Sequence, residues 1–224
     1  MILRSLSAIS HILEHKPRRI RSVTFNPKST NSRVQEIMDL AKKQKVRVMS
    51  GTGEPQAEIE PFEFADLKDC LTNSGPTSLL LALDHLQDPQ NFGALCRSAD
   101  ALGVSAILLP QDRSVGVTEG VYSASAGAVE TVPVVLVANL RSALERCKSE
   151  GFWILGASLS PSSQSIFSIP RYDKTCLVLG SELDGLSKHV EKNCDLLVHL
   201  PMKGTVASLN VSVAGALLLF KLGS

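Results

Sequence analysis

Three short segments of the 224-residue chain carry the side chains best suited to binding or catalysis. In the first, Asn91 is placed to cap a helix, Gly93 permits the close approach of another element, and Arg97 can hold an anion. An arginine on the first turns of a helix opposes the helix dipole, so its position costs stability unless it meets a negative charge. Two interpretations of Arg97 stay open: contact with a phosphate or carboxylate ligand, which we favour, and a surface pair with Asp88 or Asp100.

The second segment is a turn at the end of an apolar run, in which Gly180 and Gly185 enclose Glu182. A carboxylate at such a turn either caps the helix that follows, as in an ordinary strand–turn–helix joint, or takes part in chemistry. The turn alone does not decide between the two.

The third segment places Ser208, Asn210 and Ser212 at the start of the last predicted helix. From Val211 to Phe220 this helix is apolar on nearly every side, so we expect it to be buried. The three polar side chains would then lie at the mouth of a buried element, where they need hydrogen-bond partners. A ligand, a helix cap or one another could supply those partners.

Beyond Pro76, short apolar runs alternate with helical stretches. The predicted strands are 79–83, 106–109, 132–137, 153–156, 176–179 and 196–200. The predicted helices are 92–102, 118–126, 139–150, 185–193 and 208–221. Strict alternation with nearly continuous apolar strands indicates an α/β fold with a parallel sheet covered on both faces. In such sheets ligands bind beyond the carboxyl ends of the strands, and each of the three segments follows a predicted strand.

The first 50 residues carry eleven Lys and Arg against three Asp and Glu, although the net charge of the whole chain is only +1. A basic front beside a near-neutral body suits a polyanion, and the alternative is a solvated helix face. Residues 23–25, 32–44 and 46–49 predict a strand–helix–strand unit, which disfavours the alternative of a mitochondrial transit peptide. The acidic segment 51–76, rich in glycine and proline, is interpreted as a linker with one short helix around 64–71.

Missing motifs argue against a dinucleotide-dependent enzyme, an ATPase, a serine hydrolase and a zinc peptidase. The chain has no G-x-G-x-x-G fingerprint between a strand and a helix, no G-x-x-x-x-G-K-[ST] loop, no G-x-S-x-G elbow and no H-E-x-x-H helix. Five cysteines without a C-x-x-C pair argue against a disulfide framework or a zinc site. No apolar run approaches the roughly 18 residues that cross a bilayer. We therefore expect a cytoplasmic protein without a metal or a membrane contact, with a mitochondrial location as the alternative.

Taken together, the three segments closely resemble the signature motifs of the SpoU (TrmH) branch of the SPOUT superfamily, the S-adenosylmethionine-dependent RNA ribose 2′-O-methyltransferases. The matching patterns are N-x-G-x-x-x-R at 91–97, L-G-x-E-x-x-G at 179–185 and S-L-N-V-S at 208–212. The resemblance implies a parallel-sheet SPOUT domain with a C-terminal trefoil knot over 73–224. It also implies a homodimer, with the active sites near the subunit interface. The front, 1–72, loosely resembles the family's small α/β L30e-like domain, which binds the RNA substrate, followed by a linker.

The resemblance also assigns roles to residues. The family binds S-adenosylmethionine (AdoMet) through main-chain groups of loops, which here correspond to Gly180, Leu200 and Leu209, joined by Ser158 and Leu159. The catalytic group corresponds to Arg97, Asn91, Glu182, Ser208 and Asn210. No metal is implied.

The implied reaction is methyl transfer to a ribose 2′-hydroxyl, most similar to the enzymes that modify a guanosine in 23S-type large-subunit rRNA. The alternatives are a tRNA ribose methyltransferase of the same branch and a catalytically idle RNA-binding or ribosome-assembly protein. A guanidinium with a pKa above about 12 is almost never neutral at pH 7, so we expect Arg97 to hold a phosphate rather than to act as the base. We expect Arg18, Arg19 and Arg21 to contact RNA.

One departure from the family concerns the front domain. The glycine-containing strand that usually completes it is not recognisable between Val48 and Leu71, where an acidic stretch stands instead.

Overall fold

The structure, a computed structural model, describes residues 1–112 and 114–223. Residues 1–59 form a front unit of four strands, two α-helices and a short 3-10 helix at Pro17–Arg19. The elements are β1 (Ile2–Leu3), α1 (Leu6–His15), β2 (Ile20–Phe25), α2 (Ser32–Lys43), β3 (Arg47–Ser50) and β4 (Gln56–Ile59). The strand order is β1-β4-β2-β3, with β3 parallel to β2 and β4 antiparallel to β1 and β2.

The predicted strand–helix–strand unit is confirmed as β2, α2 and β3. The interpretation of 51–76 as a linker is wrong for its first part, because β4 lies within it and pairs on both sides in the sheet. The short helix predicted around 64–71 is present at Leu67–Thr72. In β4, Ala57 and Ile59 are buried while Gln56 and Glu58 are half-buried, which is the two-residue period of a strand. Four residues with two polar positions are too short a pattern to stand out from the surrounding acids.

The rest of the chain builds a sheet of seven strands, all of them parallel. The strands are β5 (Ser78–Leu83), β6 (Ala106–Pro110), β7 (Val134–Val137), β8 (Trp153–Ala157), β9 (Gln164–Ser165), β10 (Lys174–Leu179) and β11 (Leu196–His199). Their order is β7-β6-β5-β10-β8-β11-β9. The predicted parallel α/β architecture is thereby confirmed, and all six predicted strands are present. The additional strand, β9, has two residues and lies in a serine-rich stretch without an apolar pattern.

Helices cover both faces of this sheet. They are α3 (Leu67–Thr72), α4 (Pro89–Ala101), α5 (Glu119–Ala124), α6 (Leu140–Ser149), α7 (Lys188–Glu191) and α8 (Val211–Gly223). Leu79, Leu81 and Leu83 of β5 belong to one apolar cluster, with side chains of α4, α5 and α8. Leu80 and Ala82 belong to the other, with side chains of α3, α6 and α7. Within the described ranges, no helix has the length and apolar character needed to span a membrane.

The segment that follows the front unit packs against one face of the larger sheet, and the front unit itself contacts the helices on the other face. Helix α3 packs in the cluster of Leu80, and Ala65 forms a bridge to Val135 of β7. The change from one sheet to the other therefore falls between Ile59 and Ala65, ahead of the predicted boundary at residue 72. On the opposite face, α1 lies against the turn at Gly127, where an added Cβ would stand 3.0 Å from the carbonyl oxygen of Ala8.

Candidate functional site

Side chains from all three sequence segments meet at the carboxyl edge of the seven-stranded sheet. The Asn91 Nδ2 group donates a hydrogen bond to Oε1 of Glu182. The Asn210 Nδ2 group donates to Oδ1 of Asn91 at 3.0 Å and lies 3.4 Å from Oε1 of Glu182. The three side chains thus form one closed cluster, although 91 residues separate the first two and 119 separate Asn91 from Asn210.

Helix capping fixes two of the segments, in a way that differs partly from the prediction. The N-cap of α4 is Asp88, whose carboxylate accepts from the backbone N–H groups of Gln90 and Asn91. Asn91 is therefore inside the first turn and its side chain is free for the cluster, so its predicted capping role is wrong. Asn210 does cap its helix: its Oδ1 accepts from the N–H of Ser212 at 2.9 Å. Because its Oδ1 caps α8, its Nδ2 group is turned toward Asn91.

The turn after β10 is held by its own backbone. Ser181 and Gly185 exchange two hydrogen bonds, both of 3.0 Å, and Gly185 has a φ of 66°, in the left-handed region. A Cβ at Gly180 would collide with backbone atoms of Gly185 and Leu186, so only glycine fits there. The turn presents Glu182 to the cluster in a fixed position.

A cavity of about 850 Å³ opens beside this cluster. Every residue predicted to bind the cofactor lines it: Gly180, Leu200, Leu209, Ser158 and Leu159. Glu182, Ser208 and Asn210 line it as well, whereas Asn91 lies behind Glu182 and Asn210. Its size matches the usual range for a small-molecule site.

The charges on the cavity wall suit a cationic ligand. Glu182, Asp184 and Glu191 line the cavity, and no Lys or Arg is among its lining residues in the described chain. Glycines and apolar side chains elsewhere on the wall leave main-chain N–H and C=O groups open to a polar ligand. A sulfonium compound with an adenine ring fits both properties. The described residues include no group of three or more His, Cys, Asp or Glu side chains that could hold a metal ion.

Arg97 stands apart from the cavity. It lies in the third turn of α4, six residues after Asn91, which is about 9 Å further along the helix. The expectation that it sits on the first turns and opposes the helix dipole is therefore wrong. Its side chain is exposed and forms no ion pair with Asp88, Asp100 or any other residue that the structure describes. The surface-pair interpretation is thus not supported.

Helix α8 is only partly buried. Gly215, Leu218 and Leu219 face the sheet and α4. Val213, Leu217 and Phe220 are 48%, 47% and 64% exposed. The expected complete burial is wrong for a single chain, because one side of this apolar helix has no cover from its own protein.

The three arginines predicted to bind RNA have different surroundings. Arg18 is exposed, and no ion pair involves it in the described part of the chain. Arg21 pairs with Glu60 at 2.7 Å and Glu58 at 3.4 Å. Arg19 is nearly buried and its guanidinium binds acidic and carbonyl groups of the protein itself. The acidic stretch that looked out of place beside RNA therefore neutralises two of the three predicted contacts.

The sequence interpretation did not identify Asp84 as a positioning residue. Its side chain is 1% exposed and accepts a 2.7 Å hydrogen bond from the N–H of Ser187. Its other oxygen lies 2.9 Å from Nδ1 of His85. Asp84 thus links the end of β5 to the segment that follows the Glu182 turn. Its position directly after an apolar strand could have revealed this role. A carboxylate at the end of a buried strand is itself expected to be buried, and a buried carboxylate needs partners.

Comparison with known proteins agrees with this geometry. Residues 78–220 match the family described as the SpoU rRNA Methylase family. A relative from Xylella fastidiosa, named 23S rRNA (guanosine-2'-O-)-methyltransferase RlmB, is 34% identical over 232 residues, covering 96% of this chain and 93% of the relative.

Two solved structures extend the comparison. The SpoU methyltransferase AviRb from Streptomyces viridochromogenes, in complex with the cofactor AdoMet, aligns with a TM-score of 0.79 and 23% identity over 100% of this chain and 89% of its own, and so shares the fold. The A. aeolicus TrmH/SpoU tRNA modifying enzyme is 28% identical with a TM-score of 0.58, and it covers 70% of this chain and 79% of its own.

Proposed function

Because the chain belongs to the SpoU rRNA methylase family, we propose that it transfers a methyl group from AdoMet to a ribose 2′-hydroxyl of large-subunit rRNA. One observation carries the proposal: Asn91, Glu182 and Asn210 meet at the edge of a cavity whose wall contains the predicted cofactor residues. An idle RNA-binding protein would have no need to keep all three polar groups in mutual contact.

We place the cofactor in the cavity of about 850 Å³. Main-chain groups at Gly180, Leu200 and Leu209 would hold the adenine ring, and Ser158 and Leu159 would close the other side. The carboxylates of Glu182, Asp184 and Glu191 would favour the cofactor's positive charges. When bound, AdoMet supplies an electrophilic methyl group on a sulfonium.

The protein's own contribution is to orient the RNA and to handle one proton. A 2′-hydroxyl must lie in line with the methyl group, so positioning supplies a large part of the rate. The guanidinium of Arg97 would hold the phosphate next to the target ribose and stabilise the developing alkoxide. The proton would go to an oxygen of that phosphate or to Oε2 of Glu182, because Oε1 already accepts from two amides. Ser208, exposed at the cavity, would orient the ribose.

Arg97 and the cavity would come together in a homodimer. The exposed apolar residues Val213, Leu217 and Phe220 lie on α8, which packs against α4, the helix that bears Arg97. Exposed apolar side chains grouped on one element are typical of a subunit interface. A second copy of the chain seated there would place Arg97 next to the interface, where the family's active sites are expected.

The RNA target is proposed to be a guanosine of 23S-type rRNA rather than a tRNA. The relative named for that reaction aligns along both units of this chain, whereas the tRNA-modifying relative covers 70% of it. We propose that the front unit contacts RNA phosphates through exposed cations, Arg18 among them.

Ribose methylation mapped in total RNA, from cells with and without the gene, tests the proposed function. We expect one large-subunit rRNA guanosine to lose its 2′-O-methyl group in the deletion strain and to regain it on complementation. Complementation with Leu209→Pro, which removes a main-chain donor from the cavity wall, should fail. A loss confined to tRNA would support the alternative target, and an unchanged methylation map would contradict the proposal.

A further inference from the structure

The junction between the two units buries a charged cluster that methyl transfer does not use. The side chain of Arg19 is 12% exposed and that of Glu130 is 4% exposed. The Arg19 Nε group donates to Oε2 of Glu130 at 3.2 Å, and Nη2 lies 3.4 Å from Oε1. The hydroxyl of Tyr122, which is fully buried, donates to the same carboxylate. We call Arg19, Glu130 and Tyr122 the junction cluster.

Arg19 also binds the connection between the two sheets. Its Nη2 group donates to the carbonyl oxygen of Pro61 at 2.6 Å, and Nη1 donates to Glu63 at 3.0 Å. One guanidinium therefore ties together the start of β2, the connecting segment 60–63 and the turn at 128–130 of the larger unit. Tyr122 keeps its proton in this cluster. Burial raises the pKa of its hydroxyl, and the hydrogen bond to Glu130 raises it further.

The hydrogen bonds of this cluster are directional, so they specify the angle between the front unit and the larger unit. Apolar packing alone would leave that angle less defined. Contact between units of one chain is by default compatible with relative motion. Another ion pair across the junction, Arg4 with Glu119, has side chains 57% and 40% exposed and is screened by solvent. A buried ion pair stabilises a protein little more than apolar residues of the same size would. Its best-supported role is to specify one relative arrangement of the elements that it joins.

We propose that the junction cluster is an orientation clamp, which holds the front unit at one angle to the cavity so that bound RNA presents one ribose to the methyl donor. The inference rests on the proposed function. It makes Arg19, Glu130 and Tyr122 positioning residues, and it reassigns Arg19 from RNA contact to the junction.

The clamp predicts a specific kinetic pattern. Without the clamp, only a fraction of the molecules would hold the front unit at the correct angle to the larger unit. The apparent affinity for RNA would fall in proportion to that fraction, whereas saturating RNA would shift all molecules back to the correct angle. Breaking the clamp should therefore raise KM for RNA with a much smaller change in kcat. AdoMet affinity should stay the same, because the cavity wall belongs entirely to the larger unit.

The test compares Glu130→Gln with the unaltered 224-residue protein. We expect KM for an unmodified 23S rRNA transcript to rise about tenfold, with an unchanged calorimetric Kd for AdoMet. Hydrogen exchange of the amides in α1 and at 126–131 should become faster, while the strands of the front sheet keep their protection. Tyr122→Phe, which keeps the ion pair, should give a smaller rise in KM.

Glu145→Gln is the matched control, since it weakens an exposed ion pair with Arg141 that lies outside both the junction cluster and the cavity wall, and it should match the wild type. A Glu130→Gln protein with wild-type KM and exchange would overturn the inference, and so would a parallel loss of AdoMet affinity, which would mark a purely stabilising role. Absence of methyl transfer by the wild type would instead contradict the proposed function, and hydrogen exchange would still report on the clamp.

Discussion

At the scale of single residues, the site depends on amide side chains that serve two partners at once. Asn210 uses its oxygen to cap α8 and its Nδ2 group to hold Asn91, which in turn donates to Glu182. The sequence predicted that these residues converge, because the carboxyl ends of parallel strands share one edge of a sheet. It assigned the cap of α4 to Asn91 rather than Asp88, since both residue types cap helices and they stand three positions apart.

Arg97→Lys tests the role of the exposed arginine. A lysine keeps the charge but loses the planar fork that binds a phosphate with two parallel hydrogen bonds. We expect the rate of methyl transfer to fall by at least about tenfold, the cost of roughly 1.4 kcal/mol in the transition state, with an unchanged Kd for AdoMet. Single-turnover kinetics and calorimetry measure the two quantities.

The matched control is Arg171→Lys, which alters another exposed arginine without an ion pair in the described chain. It should leave both quantities unchanged. A near-normal rate for Arg97→Lys would show that bidentate phosphate binding is not its role.

At the scale of elements, the cavity is shaped by the turn after β10 and by α8, which its own chain buries on one side only. The turn after β10 is fixed by the paired backbone bonds of Ser181 and Gly185. The pattern G-x-E-x-x-G predicted a turn there, but the lack of room at Gly180 depends on where Gly185 folds back, which no local pattern contains. The four-residue β4 escaped prediction because its strand character comes from pairing with β1 and β2.

Gly180→Ala tests the turn. The added methyl group would meet backbone atoms of Gly185 and Leu186, so the turn must shift and carry Glu182 away from Asn91. We expect AdoMet affinity to fall by at least about tenfold, since a shift of the cavity wall of 1 Å is costly for a pre-formed site. Calorimetric titration measures the change.

Gly116→Ala serves as the control, because a Cβ at Gly116 meets no atom within 4 Å. If Gly180→Ala binds AdoMet as tightly as Gly116→Ala does, the turn is not part of the cofactor site.

At the scale of the whole molecule, two features come from contacts that a single sequence does not display. The ion pair of Arg19 with Glu130 joins residues 111 positions apart, so charge counting grouped Arg19 with the exposed cations around it. The all-round apolar pattern of α8 predicted burial on every side, but its own chain buries only Gly215, Leu218 and Leu219. The pattern does not reveal whether the same chain or another copy covers the remaining side. The proposed homodimer accounts for the exposed side of that helix.

Phe220→Glu tests the proposed interface. Placing a charge in an apolar contact leaves it desolvated and without a partner, so the dimer should dissociate to monomers at micromolar concentration. Sedimentation velocity measures the change in mass. Phe167→Glu alters an equally exposed phenylalanine, also at 64%, outside α8 and should leave the mass unchanged. A monomeric wild type, or a dimeric Phe220→Glu, would contradict this interface.

The most direct test of the account is the position of the transferred methyl group. Purified protein is incubated with methyl-labelled AdoMet and an unmodified 23S rRNA transcript, and the RNA is then hydrolysed in alkali. A free 2′-hydroxyl is needed for that cleavage, so a methylated ribose leaves the label in a dinucleotide that resists it. We predict a labelled, alkali-resistant dinucleotide with guanosine at its 5′ position. Label in ordinary mononucleotides, or no transfer by a protein that binds AdoMet, would contradict it.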